Sequence, residues 1–191
     1  MEDTYINDSL KERLISAGLS ELDKHGIADF SLRRVALSAG VSCAAPYRHF
    51  KDKDELILAI IDYVLDGWIL LSEQIFDSLG LGSAECVSEI SMSLVRFWVG
   101  NGNFRSLLTL AGTDDDPERR ERLFKFDEPI VQSITYFALL RSLSREDTDV
   151  LTRTVLSLVY GTLFLISRGG DSGECIENMR SKIITELIAY M

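Results

Sequence analysis

The chain has 191 residues, 46% of them hydrophobic and 26% charged, and carries a net charge of −10. That is the balance of one compact soluble domain or two small ones. Its longest uncharged run, Thr154 to Ser167, has 14 residues, short of the roughly 20 that a bilayer-spanning helix needs, so it reads as a buried helix with no membrane role. The opening MEDTYINDSLKERL is too polar for a signal peptide. The three cysteines, Cys43, Cys86 and Cys175, lack metal-ligand spacing. A cytoplasmic protein without metal or cofactor is expected.

Helical signals run along the whole chain, and no segment alternates as a strand does. Ser9 and Glu12 have capping-box spacing, and Leu10, Leu14, Ala17 and Leu22 form an apolar stripe that stops at His25-Gly26, where glycine permits a left-handed cap. Ser31 can cap a second helix over 32–39, and Ser42 a third that runs to about residue 50. Gly40 turns the chain between them and Val41 plugs the space they leave. Residues 53–79 hold no proline; as one helix they would reach about 40 Å, with apolar side chains on too many faces for a surface position. Further helices are expected over 83–99 and 104–111. Asp116-Pro117 and Asp127-Glu128-Pro129 read as N-cap and first-turn signals rather than metal ligands. The last two helices are expected over 147–167 and 173–190. The fold class is all-α.

The first three helices, with a sharp break between the second and third, make a helix-turn-helix, the arrangement that lays its second helix in the DNA major groove. The charge agrees with this. Residues 31–53 carry +4 while residues 61–191 carry −8, and a basic patch on an acidic body offers an anionic partner a single place to bind.

The stretch SLRRVALSAGVSCAAPYRHFKDKDEL resembles the signature of the TetR family of transcriptional regulators, over residues 9–56. The matching positions are Ser31, Ala36, Ala39-Gly40-Val41-Ser42, Tyr47, Phe50, Lys53 and Glu55-Leu56. Pro46 departs from the pattern, which has an aliphatic residue there. As the fourth position of a helix capped by Ser42 it would remove an intrahelical hydrogen bond and loosen the first turn.

The resemblance implies a helix-turn-helix DNA-binding domain over 1–52 and a ligand-binding and dimerisation domain over 53–191, joined by the long helix. Ser42, Cys43, Ala44 and Ala45 would open the recognition helix towards the groove, with Arg48 as a base reader. Tyr47, His49, Lys53, Ser31 and Arg33 would contact phosphate. Trp68, Phe97, Trp98, Phe104, Gln132, Tyr136, Tyr160 and Phe164 are candidate walls of a ligand pocket. Ile176, Met179, Ile183, Leu187 and Tyr190, at near-heptad spacing on the last helix, are the expected dimer stripe. The function implied is a homodimeric repressor of a palindromic double-stranded DNA operator, released by a small-molecule effector. Oxidation of Cys43, at a helix N-terminus near Arg48, is an alternative trigger. An enzyme finds no support in a chain with two histidines and neither a Gly-rich phosphate loop nor a nucleophile–base motif.

Overall fold

The computed structural model describes residues 2–100 and 116–191, with side chains from Leu10 onward. The elements are α1 (Glu2–His25), α2 (Leu32–Ser38), a 3-10 turn (Pro46–Arg48), α3 (Lys53–Leu79), α4 (Ala84–Gly100), α5 (Pro117–Phe124), α6 (Glu128–Leu140), α7 (Arg145–Ser167) and α8 (Ser172–Ile188). A second 3-10 turn, Lys125–Asp127, leads into α6. Among the described residues there is no strand. The expected helix over 104–111 lies outside the described residues.

The described residues form two compact units, one from residues 2–66 and 116–124, the other from 67–100 and 125–191. Helix α3 is continuous, over the 27 residues that its composition indicated, and gives its first half to one unit and its second half to the other.

In the first unit, α1 begins at Glu2. Ser9 therefore lies inside the helix, and the capping box expected from Ser9 and Glu12 does not mark its start. Leu14, Leu22, Val35, Ala36, Phe50, Leu56, Ile57 and Ile60 are buried together as the core. Gly18 lets α1 approach α3, since a Cβ there would stand 2.8 Å from Ile60 Cδ1. Gly26 and Gly40 have φ of +67° and +69°: the left-handed cap expected at Gly26, and at Gly40 the sharp turn expected there, made in the same conformation. Asp116 caps α5, accepting from the Arg119 amide at 2.9 Å. Arg119 and Arg122 then pair with Asp54 (3.0 Å) and Asp62 (2.8 Å) on α3.

In the second unit α4 is the central helix, packing against α6, α7 and α8. Ser83 caps it, accepting from the Cys86 amide at 3.0 Å. Trp68, Trp98 and Phe126 form a filled aromatic core. The Trp68 indole donates to the Phe126 carbonyl at 3.0 Å, and the Trp98 and Phe126 ring centres are 4.9 Å apart. Ser144 and Asp171 cap α7 and α8. Asp127, by contrast, makes no side-chain cap; its carboxylate accepts from the Tyr160 hydroxyl of α7 at 2.7 Å. Burial pushes the Asp127 carboxyl up, and the Tyr160 bond partly offsets this.

The stripe Ile176, Met179, Ile183 and Leu187 is buried within its own unit, where α8 packs on α4 and α7. The expected dimer stripe is thus covered by its own chain, and Tyr190 is half-buried. Helix α7 departs from expectation in the other direction. An 18-residue window of it has a mean hydropathy of 1.6, long and apolar enough to cross a membrane, yet only 28% of the window is buried.

Two substitutions test this packing. Gly82 has φ +88°, and a Cβ there would stand 2.8 Å from the Tyr136 carbonyl carbon. Gly82→Ala should therefore destabilise by about 2 kcal/mol or more, from strain and overpacking together, read by urea denaturation. Tyr160→Phe should cost about 1 kcal/mol near neutral pH by leaving the Asp127 carboxylate unpaired. Without the tyrosine bond the folded-state pKa of Asp127 rises further. The loss should therefore be full at neutral pH, where Asp127 is ionised, and shrink as pH falls through that pKa.

Candidate nucleic-acid interface

The helix-turn-helix is built from α2, the turn at Gly40 and the segment to Lys53. Ser31 caps α2, its hydroxyl facing the Arg34 amide at 3.5 Å. At the other end the Val41 amide donates to the Ala36 carbonyl (3.0 Å) and the Gly40 amide to the Leu37 carbonyl (3.1 Å), the Schellman closure that a left-handed glycine allows.

Helix α1 holds α2 at both ends. The Glu21 carboxylate, almost fully buried, accepts from the Ser31 amide at 3.2 Å and from Arg34 Nε at 2.7 Å. The Arg13 guanidinium donates to the carbonyl of Ala39, the C-cap. A carboxylate at the N-terminus and a guanidinium at the C-terminus both complement the helix dipole. Arg34, which also donates to the Asp29 carbonyl, is thereby committed to the scaffold. Its hydrogen bond to Glu21 raises its pKa above the usual arginine value.

Beyond the turn the chain does not form the helix expected over 42–50. Only Pro46–Arg48 is helical, and it is a 3-10 turn with Pro46 at its start. The Arg48 amide reaches the Ala45 carbonyl (3.1 Å) and the His49 amide that of Pro46 (3.0 Å). Proline has no amide to donate, so the regular ladder cannot pass through residue 46 and the helix starts there instead.

The exposed and buried sides of this turn differ from the expected ones in one place. Ser42, Cys43, Ala44 and Arg48 are exposed, as is Tyr47 at 62%. Ala45 is buried, because the 3-10 turn rotates it inward beside Pro46, and so it is no part of an open groove-facing surface. His49 is half-buried with its ring 6.3 Å from that of Phe50. Arg33 and Lys53 are exposed and Ser31 is half-buried. Asp52 accepts from the Glu55 amide at 3.0 Å, and Glu55 in turn accepts from the Lys51 amide, which fixes the start of α3 next to Lys53. Leu37, 79% exposed on α2, lies one turn after Arg33 and was not singled out by its sequence context.

Among the described residues expected to wall a ligand pocket, Trp68, Phe97 and Trp98 pack on one another and the rest lie apart from a cavity. Trp68 and Trp98 are filled core and Phe97 is half-buried against them. Gln132, Tyr136, Tyr160 and Phe164 lie on the surface, because aromatic residues at helical spacing mark an apolar face without marking a cavity. Phe104 lies outside the described residues.

Residues 14–60 match the model for bacterial regulatory proteins of the tetR family. Among solved structures, a TetR transcriptional regulator from Legionella pneumophila is similar at 22% identity. The match covers 91% of this chain and 94% of that one, with a TM-score of 0.74. A TetR family transcription regulator from Marinobacter aquaeolei VT8 is similar at 21% identity over 97% and 98% of the two chains, TM-score 0.72. RolR in complex with resorcinol is similar at 13% identity over 95% and 89%, TM-score 0.63. At these identities the structures speak for the fold alone. Residues 14–60, which contain the helix-turn-helix, are thus similar to the tetR family of bacterial regulatory proteins.

Proposed function

We propose that this DNA-binding regulator is a cytoplasmic, homodimeric repressor of a palindromic operator, released by a small molecule bound in the 53–191 domain. The observation that carries DNA reading is the exposed set Ser42, Cys43, Ala44, Tyr47 and Arg48 on a segment of charge +4 in a chain of charge −10. Small side chains at Cys43 and Ala44 let the backbone approach base edges, the Ala44 methyl meets thymine methyls, and Arg48 reads guanine. Tyr47, Arg33, Lys53, Ser31 and His49 hold phosphate and set the register.

Dimerisation is supported by α7, apolar yet mostly uncovered. Its exposed Tyr160, Phe164 and Leu165 are the surface we assign to the second copy, in place of the buried stripe of α8. A twofold dimer presents two reading elements to half-sites about 34–36 Å apart or a multiple of this. Ligand release is supported by the resorcinol held by RolR, a protein of the same fold. Continuous α3 gives a ligand in the second unit a covalent path to Lys53. The effector must bind the DNA-incompetent form more tightly, since equal affinity for both forms shifts nothing.

Selection of genomic fragments by the purified protein, beginning with DNA flanking its own gene, tests the reading; recovery of one short palindrome supports it and no selection at low salt overturns it. Against that palindrome, Tyr47→Phe and Lys53→Ala should weaken binding to all sequences alike, and Lys53→Ala should reduce the salt slope by about 1. Arg48→Ala should cost about 1–3 kcal/mol and relax the sequence preference; an unchanged preference removes Arg48 as a base reader. Phe164→Arg should give a monomer in sedimentation and lose the palindrome, whereas a variant that stays dimeric places the interface elsewhere.

A further inference from the structure

Helices α4 and α8 leave an open groove of about 370 Å³ in the second unit, within the range of small-molecule sites. Its lining is two facing helical stripes. Glu85, Ser88 and Glu89 come from α4, and Arg180, Ile184 and Ile188 from α8. None of these was among the residues expected to wall a pocket.

The polar side of the groove carries two carboxylates and one arginine. Glu85 and Glu89 are four residues apart on one helix, a like-charge pair that weakens the helix. Glu89 Oε1 is engaged by Arg96 at 2.9 Å and Ser93 at 3.2 Å, but Glu85 has no ion pair among the described residues. Arg180, on the same lining, is turned to Glu177 at 3.3 Å, so the exposed Glu85 keeps only solvent about it. Between the two carboxylates, Ser88 is 3% exposed, and its hydroxyl is the one buried side-chain polar atom without a hydrogen-bond partner among the described residues. Such orphans are rare and call for a partner. Rotation about χ1 is enough to turn a serine hydroxyl towards a neighbouring space.

We propose that this groove binds an amphiphilic primary amine. Its apolar chain lies along Ile184 and Ile188, its ammonium sits between Glu85 and Glu89, and one N–H is donated to Ser88 Oγ. An anionic head group would face two carboxylates, while Arg180, the one cation of the lining, is held by Glu177; a neutral head group would gain no charge-assisted hydrogen bond from either carboxylate. The inference rests on the ligand-responsive reading only in making the amine an effector; binding itself is a property of the groove.

Calorimetry on the full-length protein with octylamine, against octanol and octanoate as chain-matched probes, tests this without DNA. Octylamine should bind at least about tenfold more tightly than either, and Glu85→Gln should remove about that factor. Ile184→Trp, which fills the groove, should abolish binding with helicity unchanged; should that variant fail to fold, the exposed Glu85→Gln carries the test. Equal binding of octanol or octanoate, or indifference to Glu85→Gln, overturns the proposal. Absent amine binding in a protein that still selects its DNA sinks this inference alone. Amine binding by a protein that selects no DNA sinks the regulator reading instead.

Discussion

The helix-turn-helix depends on a clamp that α1 places on both ends of α2. Seven residues are too few to hold a helix in water by propensity. Glu21 takes the free Ser31 amide and the Arg34 side chain at one end, and Arg13 takes the Ala39 carbonyl at the other. A buried carboxylate must keep its partners, because stranding it costs several kcal/mol. Ser31 and Arg33 are thereby fixed in place, and Gly40 can turn the chain sharply without unravelling the helix behind it.

Pro46 sets the conformation of the segment beyond the turn. A proline inside the recognition element shortens it to one 3-10 turn and sends Ala45 into the core. In the proposed reading, the surface left for bases is the exposed Ser42, Cys43, Ala44 and Arg48, which holds one long hydrogen-bonding side chain. In a repressor of the proposed kind, specificity then draws on the shape and deformability of the operator as well as on base edges. The exposed Leu37 adds apolar surface to α2.

Local signals in the sequence were enough for much of this. The bounds of α3, the caps at Ser31 and Asp116, the left-handed cap at Gly26 and the turn at Gly40 each depend on a few neighbouring residues. The clamp on α2 was hidden because its pairs lie 10, 13 and 26 residues apart. Asp127 has every mark of an N-cap, but a tyrosine from α7 competes for it. The stripe on α8 and the aromatic residues of α6 and α7 illustrate a deeper limit. Periodicity says which face of a helix is apolar, not what covers it. The heptad-like face of α8 is covered by α4 and α7 of its own chain, while α7, apolar on several sides, leaves Phe164 and Leu165 uncovered. The groove escaped for a similar reason, since Glu85, Ser88 and Glu89 look like an ordinary solvated turn until α8 is packed beside them.

Hydrogen exchange of the full-length protein, with and without the DNA fragment it selects, tests the assignment of the DNA-reading surface most directly. Slowed exchange concentrated in the amides of residues 31–53 is the expected result. Selected DNA that leaves those amides unchanged and protects α6 or α7 instead would contradict it.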